Sequence, residues 1–190
     1  MIPCYCLLER RVQKQLPPLY RRATLQDLSE PLQQNVLRWL RKPQRGLLIS
    51  GPAGTGKTHM AATIVRESIK RAQNAVFQRA AELYAALRGC YAGAQFESQV
   101  LVPLVKASLL TLDDLGAGSL SDHERRYALE ILDCRANGEM PTVVTTNWSL
   151  PQISERIDDR IASRLAAFTY LQMTGADRRL TNKNENEGST

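Results

Sequence analysis

Residues 51–58 constrain the fold of this chain more than any other part of its sequence. They fit the pattern G-x-x-x-x-G-K-[ST], in which a glycine-rich loop surrounds the phosphates of a nucleotide. The motif consists of Gly51, Pro52, Ala53, Gly54, Thr55, Gly56, Lys57 and Thr58. The apolar run at 46–50 is typical of a buried strand, and residues 60–65 are typical of a helix. A strand, this loop and a helix in that order predict a nucleoside triphosphate site.

Each residue type in the motif has a physical role. Glycines allow positive φ angles and let phosphate oxygens approach bare N–H groups. The helix that begins near Gly56 directs its positive end toward those oxygens. Lys57 supplies a mobile positive charge to the β- and γ-phosphates, and the Thr58 hydroxyl binds Mg²⁺. The alternative is an ordinary glycine-rich turn, which the flanking strand and helix disfavour.

Composition narrows the class of protein. With 190 residues, 43% apolar and 23% charged, the sequence is typical of one soluble domain. No run of about 18 apolar residues could span a membrane. The N-terminal charges follow the apolar residues, which is the wrong order for a secretory signal, so we expect a cytoplasmic protein. A net charge of +6 suggests a polyanionic partner, although the nucleotide site itself needs cations.

The cysteines and histidines offer two other candidate sites. Cys4 and Cys6 form a C-x-C pair that could be half of a zinc site, but no second pair follows at ligand spacing. Reduced cytoplasmic thiols are the better interpretation. His123 could be a catalytic base, but its position at the start of a predicted helix favours a surface histidine.

Polar residues follow two predicted strands downstream of the loop. Asp113 and Asp114 end the apolar run 109–112, and Asn147 ends the β-branched run 141–146. Parallel strands end at the sheet edge where ligands bind. We expect Asp113 to hold Mg²⁺ through water, Asp114 to polarise the attacking water, and Asn147 to orient that water or contact the γ-phosphate. The alternative is that these residues simply begin turns.

Residues 151–165 are predicted to form one helix with two regular faces. A buried stripe repeats every four residues: Ile153, Ile157, Ile161 and Leu165. A basic face repeats at the same spacing: Arg156, Arg160 and Arg164. Because like charges at this spacing repel, the basic face needs an anion from outside the helix. That anion could be a nucleotide phosphate on an adjacent subunit. The alternatives are a solvated basic face and ion pairs to another part of the fold.

The remaining elements follow from periodicity and helix-breaking residues. Helices are predicted over residues 32–40, 80–88, 97–106 and 122–136, and strands over residues 75–77 and 168–173. Residues 1–16 are a basic lead-in, either a short helix or a loose arm, that ends at Pro17 and Pro18. Residues 181–190 are polar and are predicted to be disordered.

In combination these stretches resemble the AAA+ ATPase module of the DnaC/IstB-type family, which contains bacterial and phage helicase loaders and transposition helper ATPases. The matching segments are Leu16–Arg21, Gly51–Thr58, Leu112–Gly116, Thr145–Trp148 and Arg160–Leu165. The resemblance covers about residues 16 to 180. The phosphate loop occurs in many folds, whereas the whole series is specific to this family.

The resemblance implies an α/β fold of AAA+ type, a five-stranded parallel sheet flanked by helices. The AAA+ ATPase domain would cover residues 17–180, between a basic arm at 1–16 and a tail at 181–190, without a separate folded N-terminal domain. ATP and Mg²⁺ are the implied cofactors, with the metal held by Thr58 and Asp113. Asp114 takes the catalytic acidic position, and Asn147 is the first sensor.

The resemblance also implies assembly and partners. Arg164, with Arg160 second, would act in trans as an arginine finger in a homo-oligomer, and Arg178 or Arg179 would be the second sensor. The segment 20–28 would lie near the adenine. Single-stranded DNA would pass near the helices of 79–106, with three candidate contacts: Arg79, Arg88 and Lys106.

Two features depart from the family pattern. Asp114 stands where most AAA+ ATPases carry glutamate, so hydrolysis could be slow. Only about 16 residues precede the match, too few for the domain with which helicase loaders usually grip the helicase. Either these residues are a minimal docking segment, or the contact lies elsewhere, or the partner is not a helicase.

The expected function is therefore an ATP-hydrolysing DNA-replication factor that loads a replicative helicase and binds single-stranded DNA. A transposition helper ATPase that recruits a transposase is the first alternative. A small-molecule P-loop kinase and a nucleotide-gated binding module remain as further alternatives. The carboxylate pair, the strand-end asparagine and the absence of a recognisable substrate lid disfavour the kinase.

Overall fold

A computed structural model describes residues 5–43, 46–91 and 96–175. Its five strands form one parallel sheet, in the order β2-β3-β4-β1-β5. The strands are β1 (Gly46–Ser50), β2 (Ala75–Arg79), β3 (Leu109–Asp113), β4 (Thr142–Thr146) and β5 (Thr169–Gln172). Every residue of β1, β3 and β4 is buried, as expected for parallel strands covered on both faces. The predicted five-stranded parallel sheet is confirmed.

Helices cover both faces of this sheet. They are α1 (Tyr5–Gln15), α2 (Glu30–Arg41), α3 (Lys57–Lys70), α4 (Ala80–Tyr91), α5 (Glu97–Lys106), α6 (Asp122–Asn137), α7 (Leu150–Arg156) and α8 (Asp159–Ala166). Helices α1 to α3 pack on the face that carries Leu47 and Ile49, and α4 to α8 pack on the face that carries Leu48. Within the described ranges, no helix is long and apolar enough to cross a bilayer.

The N-terminal lead-in is a helix that belongs to the domain core. Val12 and Leu16 are each only 2% exposed and join the cluster under α3. Arg66 of α3 forms an ion pair with Glu9 of α1. Of the two alternatives for residues 1–16, the described part adopts the helix. The described residues before position 17 are therefore part of the domain core. The predicted boundary after residue 16 does not separate them from it.

The single helix predicted over 151–165 is wrong, because the chain breaks into α7 and α8 at Ile157 and Asp158. Asp158 caps α8, since its carboxylate accepts hydrogen bonds from the N–H groups of Arg160 and Ile161. The predicted apolar stripe is still buried: Ile153, Ile157, Ile161 and Leu165 are at most 5% exposed.

Candidate nucleotide-binding and catalytic site

The loop between β1 and α3 has the backbone that its glycines predict. Gly51, Gly54 and Gly56 have φ angles of 150°, 78° and 97°. A Cβ atom on Gly51 would lie 2.1 Å from the carbonyl oxygen of Met173, which follows β5. Only glycine fits there, and the loop is therefore pressed against the end of the neighbouring strand.

Lys57 is the first residue of α3 and is only 6% exposed. Its Nζ donates hydrogen bonds of 2.7 Å to the carbonyl oxygens of Gly51 and Pro52. The Thr55 hydroxyl also donates to the Pro52 carbonyl, at 2.9 Å. These bonds hold the ammonium group against the loop that the sequence assigns to phosphate binding.

Asp113 is the last residue of β3 and is 1% exposed. Burial raises the pKa of its carboxyl group, and the negative charge of Asp114 raises it further. The hydroxyls of Thr145 and Thr58 and the charge of Arg79 act in the opposite direction and lower this pKa. Because Thr58 and Asp113 face each other, a hydroxyl and a carboxylate converge at the start of α3. Such oxygen ligands suit Mg²⁺.

Thr145 joins the two carboxylate residues, a role that sequence reasoning missed. Its hydroxyl donates to Asp113 Oδ1 at 2.7 Å and accepts the backbone N–H of Asp114 at 2.8 Å. Asp114 has a φ of 60°, in the left-handed region that aspartate tolerates better than most residues. Thr145 therefore fixes the turn that separates the two acidic side chains.

Asn147 lies beside Asp114, as its strand-end position predicts. Its Nδ2 atom donates to Asp114 Oδ1 at 3.4 Å, a long hydrogen bond. The neighbouring Trp148 ties three strand ends together. Its indole N–H donates to the Gly116 carbonyl at 2.9 Å, and its own carbonyl accepts the Ser50 hydroxyl at 2.9 Å. These two hydrogen bonds thus link the ends of β1, β3 and β4.

Two of the three candidate DNA contacts, Arg79 and Arg88, lie near the catalytic edge, and Lys106 lies apart from them. Arg79 ends β2 in register with Asp113, at the catalytic edge, and pairs with Glu82 at 3.6 Å. Arg88 pairs with Glu124 at the start of α6. Lys106 ends α5, just before β3 begins at the opposite edge of the sheet. Arg79 is consequently a cation of the candidate active site.

The arginines of α7 and α8 face outward but have partners within the chain. Arg160 pairs with Asp158 at 3.2 Å, and Arg164 pairs with Asp133 of α6. The Arg156 guanidinium lies 4.5 Å from the ring centroid of Trp148. For Arg164 the structure therefore supports the alternative of an ion pair to another part of the fold, since Asp133 lies on α6, whereas Arg160 pairs with Asp158 at the helix break. Arg178 and Arg179 lie outside the described residues.

The segment 20–28 lies against the first turns of α3. His59 Nε2 is 3.1 Å from Asp27 Oδ2, and the Thr63 hydroxyl is 3.4 Å from the Thr24 carbonyl oxygen. The rings of Tyr20 and His59 meet edge to face at 6.3 Å. The segment is therefore beside the helix that leaves the phosphate loop.

The zinc hypothesis gains no support from the described part of the chain. No group of three or more histidine, cysteine or acidic side chains there could hold a metal ion. Cys4 lies outside the described residues. His123 is exposed in the first turn of α6, as expected for a surface histidine.

Comparisons with known proteins give a match to one family and to several sequence relatives. The family described as IstB-like ATP binding protein matches residues 23–182. The replicative helicase loader DnaC of Escherichia coli (strain K12) is 28% identical over 119 residues, which cover 62% of this chain and 49% of that protein. A protein of insertion sequence IS1162 from Pseudomonas fluorescens, named for ATP binding, is 30% identical over 72% of this chain and 62% of its own length. The chain thus spans about half to 62% of the length of these relatives.

The comparison with solved structures shows similarity in the fold as well. The crystal structure of DnaI superposes with a TM-score of 0.74 and is 26% identical, over 86% of this chain and 94% of that one. The chain therefore shares its parallel-sheet fold with DnaI.

Proposed function

This chain belongs to the family of IstB-like ATP-binding proteins, and on that premise we propose that it is a Mg²⁺-dependent ATPase that acts on DNA together with a protein partner. The observation that carries the proposal is the convergence at one sheet edge of Lys57, Thr58, Asp113, Asp114 and Asn147. Hydrolysis of a γ-phosphate requires a phosphate-binding cation, two metal-binding oxygens and a carboxylate next to an amide.

Each residue has a defined task in the proposed reaction. Lys57 neutralises charge on the β- and γ-phosphates, and Thr58 and Asp113 hold the Mg²⁺ ion. Bound Mg²⁺ supplies electrostatic stabilisation of the charge that develops on the phosphate oxygens. The Asp114 carboxylate orients and polarises the attacking water, and Asn147 fixes that carboxylate and contacts the water or the γ-phosphate.

Arg164, with Arg160 as the second candidate, is the proposed finger that acts on a neighbouring subunit. Its side chain is 48% exposed and its pair with Asp133 is open to water. Water screens exposed ion pairs and makes them weak, so exchange of Asp133 for a phosphate on the next subunit costs little. This assignment implies a homo-oligomer in which each interface completes one site.

For the biological role we favour a replication factor that loads a replicative helicase and binds single-stranded DNA. Support comes from the similarity to the DnaC loader and from the net charge of +6. A transposition helper that recruits a transposase is the second candidate. The observation in its favour is that the IS1162 relative aligns over a larger share of both chains than DnaC does.

The catalytic proposal is tested by phosphate release from ATP and Mg²⁺, with and without single-stranded DNA. We expect release that Asp114→Asn reduces strongly while ATP still binds. Tight binding without release would indicate a nucleotide-gated module, and phosphate transfer to a small molecule would indicate a kinase.

The DNA and partner proposals need separate measurements. Anisotropy of a labelled oligothymidine, at low and moderate salt and with ATP or ADP, should show binding in the ATP state that weakens steeply with salt. Salt-independent or absent binding in both states would contradict a DNA role. Capture of purified helicase or of purified transposase from the same genome then separates the two candidates.

A further inference from the structure

A groove of about 590 Å³ runs between β5 and helix α2, away from the catalytic residues at the carboxyl ends of β3 and β4. Such a volume is typical of ligand sites in proteins. None of the residues that line it belongs to the phosphate loop, 51–58. Its occupant is therefore not the nucleotide of the proposed ATPase site, and a ligand can bind in the groove whether or not the chain hydrolyses ATP.

The groove follows the open backbone edge of β5. All four residues of this strand, Thr169 to Gln172, line it, although successive side chains of a strand point to opposite faces. Only a groove beside the strand can be lined by residues of both faces. Among the described residues β5 pairs with β1 alone, so its other side is a sheet edge.

The direction of the backbone groups can be worked out from one hydrogen bond. The N–H of Met173 donates to the Ser50 carbonyl of β1 at 2.7 Å. Because N–H and C=O groups alternate in direction along a strand, those of Leu171 point to β1 as well. The N–H and C=O groups of Tyr170 and Gln172 therefore point toward the groove. They form a ready template for another strand.

The wall opposite this edge combines an apolar floor with a basic rim. The floor is lined by Trp39, Leu47 and Met60, of which Trp39 keeps the largest exposed fraction, 6%. Arg38 of α2 and Lys42, which caps that helix, are exposed and lie one turn apart on the rim. Neither forms an ion pair with a described residue, and no acidic residue from the described ranges lines the groove.

We propose that this groove binds an extended acidic segment of a partner protein, which adds to β5 as a sixth strand. The backbone edge supplies the main-chain hydrogen bonds that give affinity in strand addition. The apolar floor takes alternate side chains of the segment, and Arg38 and Lys42 pair with its carboxylates. A single DNA strand would use the cations but would leave the N–H and C=O groups of the edge without a matching partner.

The size of the groove sets the length of the probe. Four residues of β5 extend about 13 Å at roughly 3.3 Å per residue, which matches the central part of a short peptide. The probe is a fluorescein-labelled octapeptide of alternating aspartate and valine. Its binding to the full chain is measured by anisotropy at low salt. Saturable binding is expected, and its absence up to millimolar protein would overturn the proposal.

Matched variants test the basic rim. Arg38→Glu combined with Lys42→Glu should weaken binding about tenfold or more, because two attractions become repulsions. Arg41→Glu is the control, since Arg41 is exposed on the same helix but does not line the groove. Circular dichroism checks that all variants fold. Equal weakening by the control would indicate nonspecific charge attraction and would overturn the assignment of the rim.

A second kind of probe tests strand addition itself. Two further peptides carry the same sequence with every second backbone nitrogen methylated, one at the odd and one at the even positions. In one of the two, the methyl groups remove the N–H groups that would donate to β5. That peptide should bind at least about tenfold more weakly. Unchanged affinity of both methylated peptides would refute the sixth strand. Oligothymidine, ATP and unlabelled peptide are each used to displace the labelled peptide. If oligothymidine or ATP displaces it at a lower concentration than the unlabelled peptide does, the groove is assigned to that ligand. If the peptide no longer binds when the chain self-associates, the groove is assigned to a second copy of the chain.

Discussion

Replacement of Thr145 by valine tests the central contact of the candidate site. Valine keeps the shape and the strand preference of threonine but removes the hydroxyl. That hydroxyl donates to Asp113 at 2.7 Å and accepts from the Asp114 N–H at 2.8 Å, and Thr145 is 1% exposed. The substitution therefore removes one hydrogen bond to a buried carboxylate and leaves one N–H without its partner.

The expected loss of stability follows from these two bonds. A hydrogen bond to a charged group contributes about 1.5–3 kcal/mol, and a donor left without a partner costs up to about 3 kcal/mol, less where it is only partly buried, as the Asp114 N–H is. Since neighbouring effects are not fully additive, we expect Thr145→Val to lower the free energy of unfolding by about 2–4 kcal/mol. For a chain of this size, that corresponds to a decrease in Tm of roughly 5–15 °C.

The chain offers a matched control in the adjacent strand. Thr111 of β3 is 0% exposed, and its hydroxyl has no hydrogen-bond partner among the described residues. Thr111→Val should therefore leave stability unchanged or raise it slightly, because it removes a buried polar group that bonds to nothing. Thermal and urea unfolding of both variants, without nucleotide and with a chelator, measures the difference.

The pH dependence of this loss has a defined sign. Burial raises the pKa of Asp113 in the folded protein above its value in the unfolded chain. Asp113 therefore contributes stability at pH values below its unfolded pKa. This contribution is lost as the pH rises through the folded pKa. The Thr145 hydroxyl lowers this pKa, so valine raises it further. The variant should be weakest at neutral pH, and its deficit should shrink as the pH falls. Equal effects of the two valine substitutions at neutral pH, with no change in their difference as the pH falls, would refute this account of the site.

Four further substitutions, used in three experiments, test other parts of the molecule. Lys57→Ala should abolish tight ATP–Mg²⁺ binding with the fold intact, and unchanged affinity by calorimetry would contradict the loop assignment. Asp114→Asn and Arg164→Ala should each lower the ATPase rate about 10³-fold or more. Mixtures of the two variants should regain activity if the finger acts in trans. If mixed oligomers are confirmed and no mixing ratio gives a gain, Arg164 acts in its own subunit or only in ion pairing. Arg135→Met should cost about 3–5 kcal/mol in chemical unfolding, because this 0% exposed guanidinium donates to four carbonyl groups and to the Thr142 hydroxyl; a loss under about 1 kcal/mol would contradict that reasoning.

The predictable parts of the site are those that depend on local sequence. The loop 51–58 needs glycines at fixed positions, so its backbone could be inferred without the fold. Asp113 and Asn147 follow runs of strand-forming residues, and parallel strands end at one edge. Their convergence was therefore predictable, although the sequence said nothing about the Thr145 hydroxyl between the two acids.

The break between α7 and α8 shows how periodicity can mislead. The four-residue repeat of apolar residues is real and buried, and it favoured one continuous helix. Asp158 is the signal that was missed, because an aspartate can cap a new helix as well as continue an old one. Asp133, by contrast, lies 31 residues before Arg164, and no local pattern links the two.

By itself the sequence determined the phosphate loop, the strands that lead to it and the residues at their ends, because each depends on backbone conformation over a few neighbours. Only the tertiary structure decided which distant groups meet. It placed Arg79 opposite Asp113, brought the arginines of α7 and α8 against partners within the chain, and, among the described residues, left one edge of β5 unpaired beside a basic helix. Hydrogen bonds and ion pairs between distant residues depend on strand order and register, which no short stretch of sequence encodes.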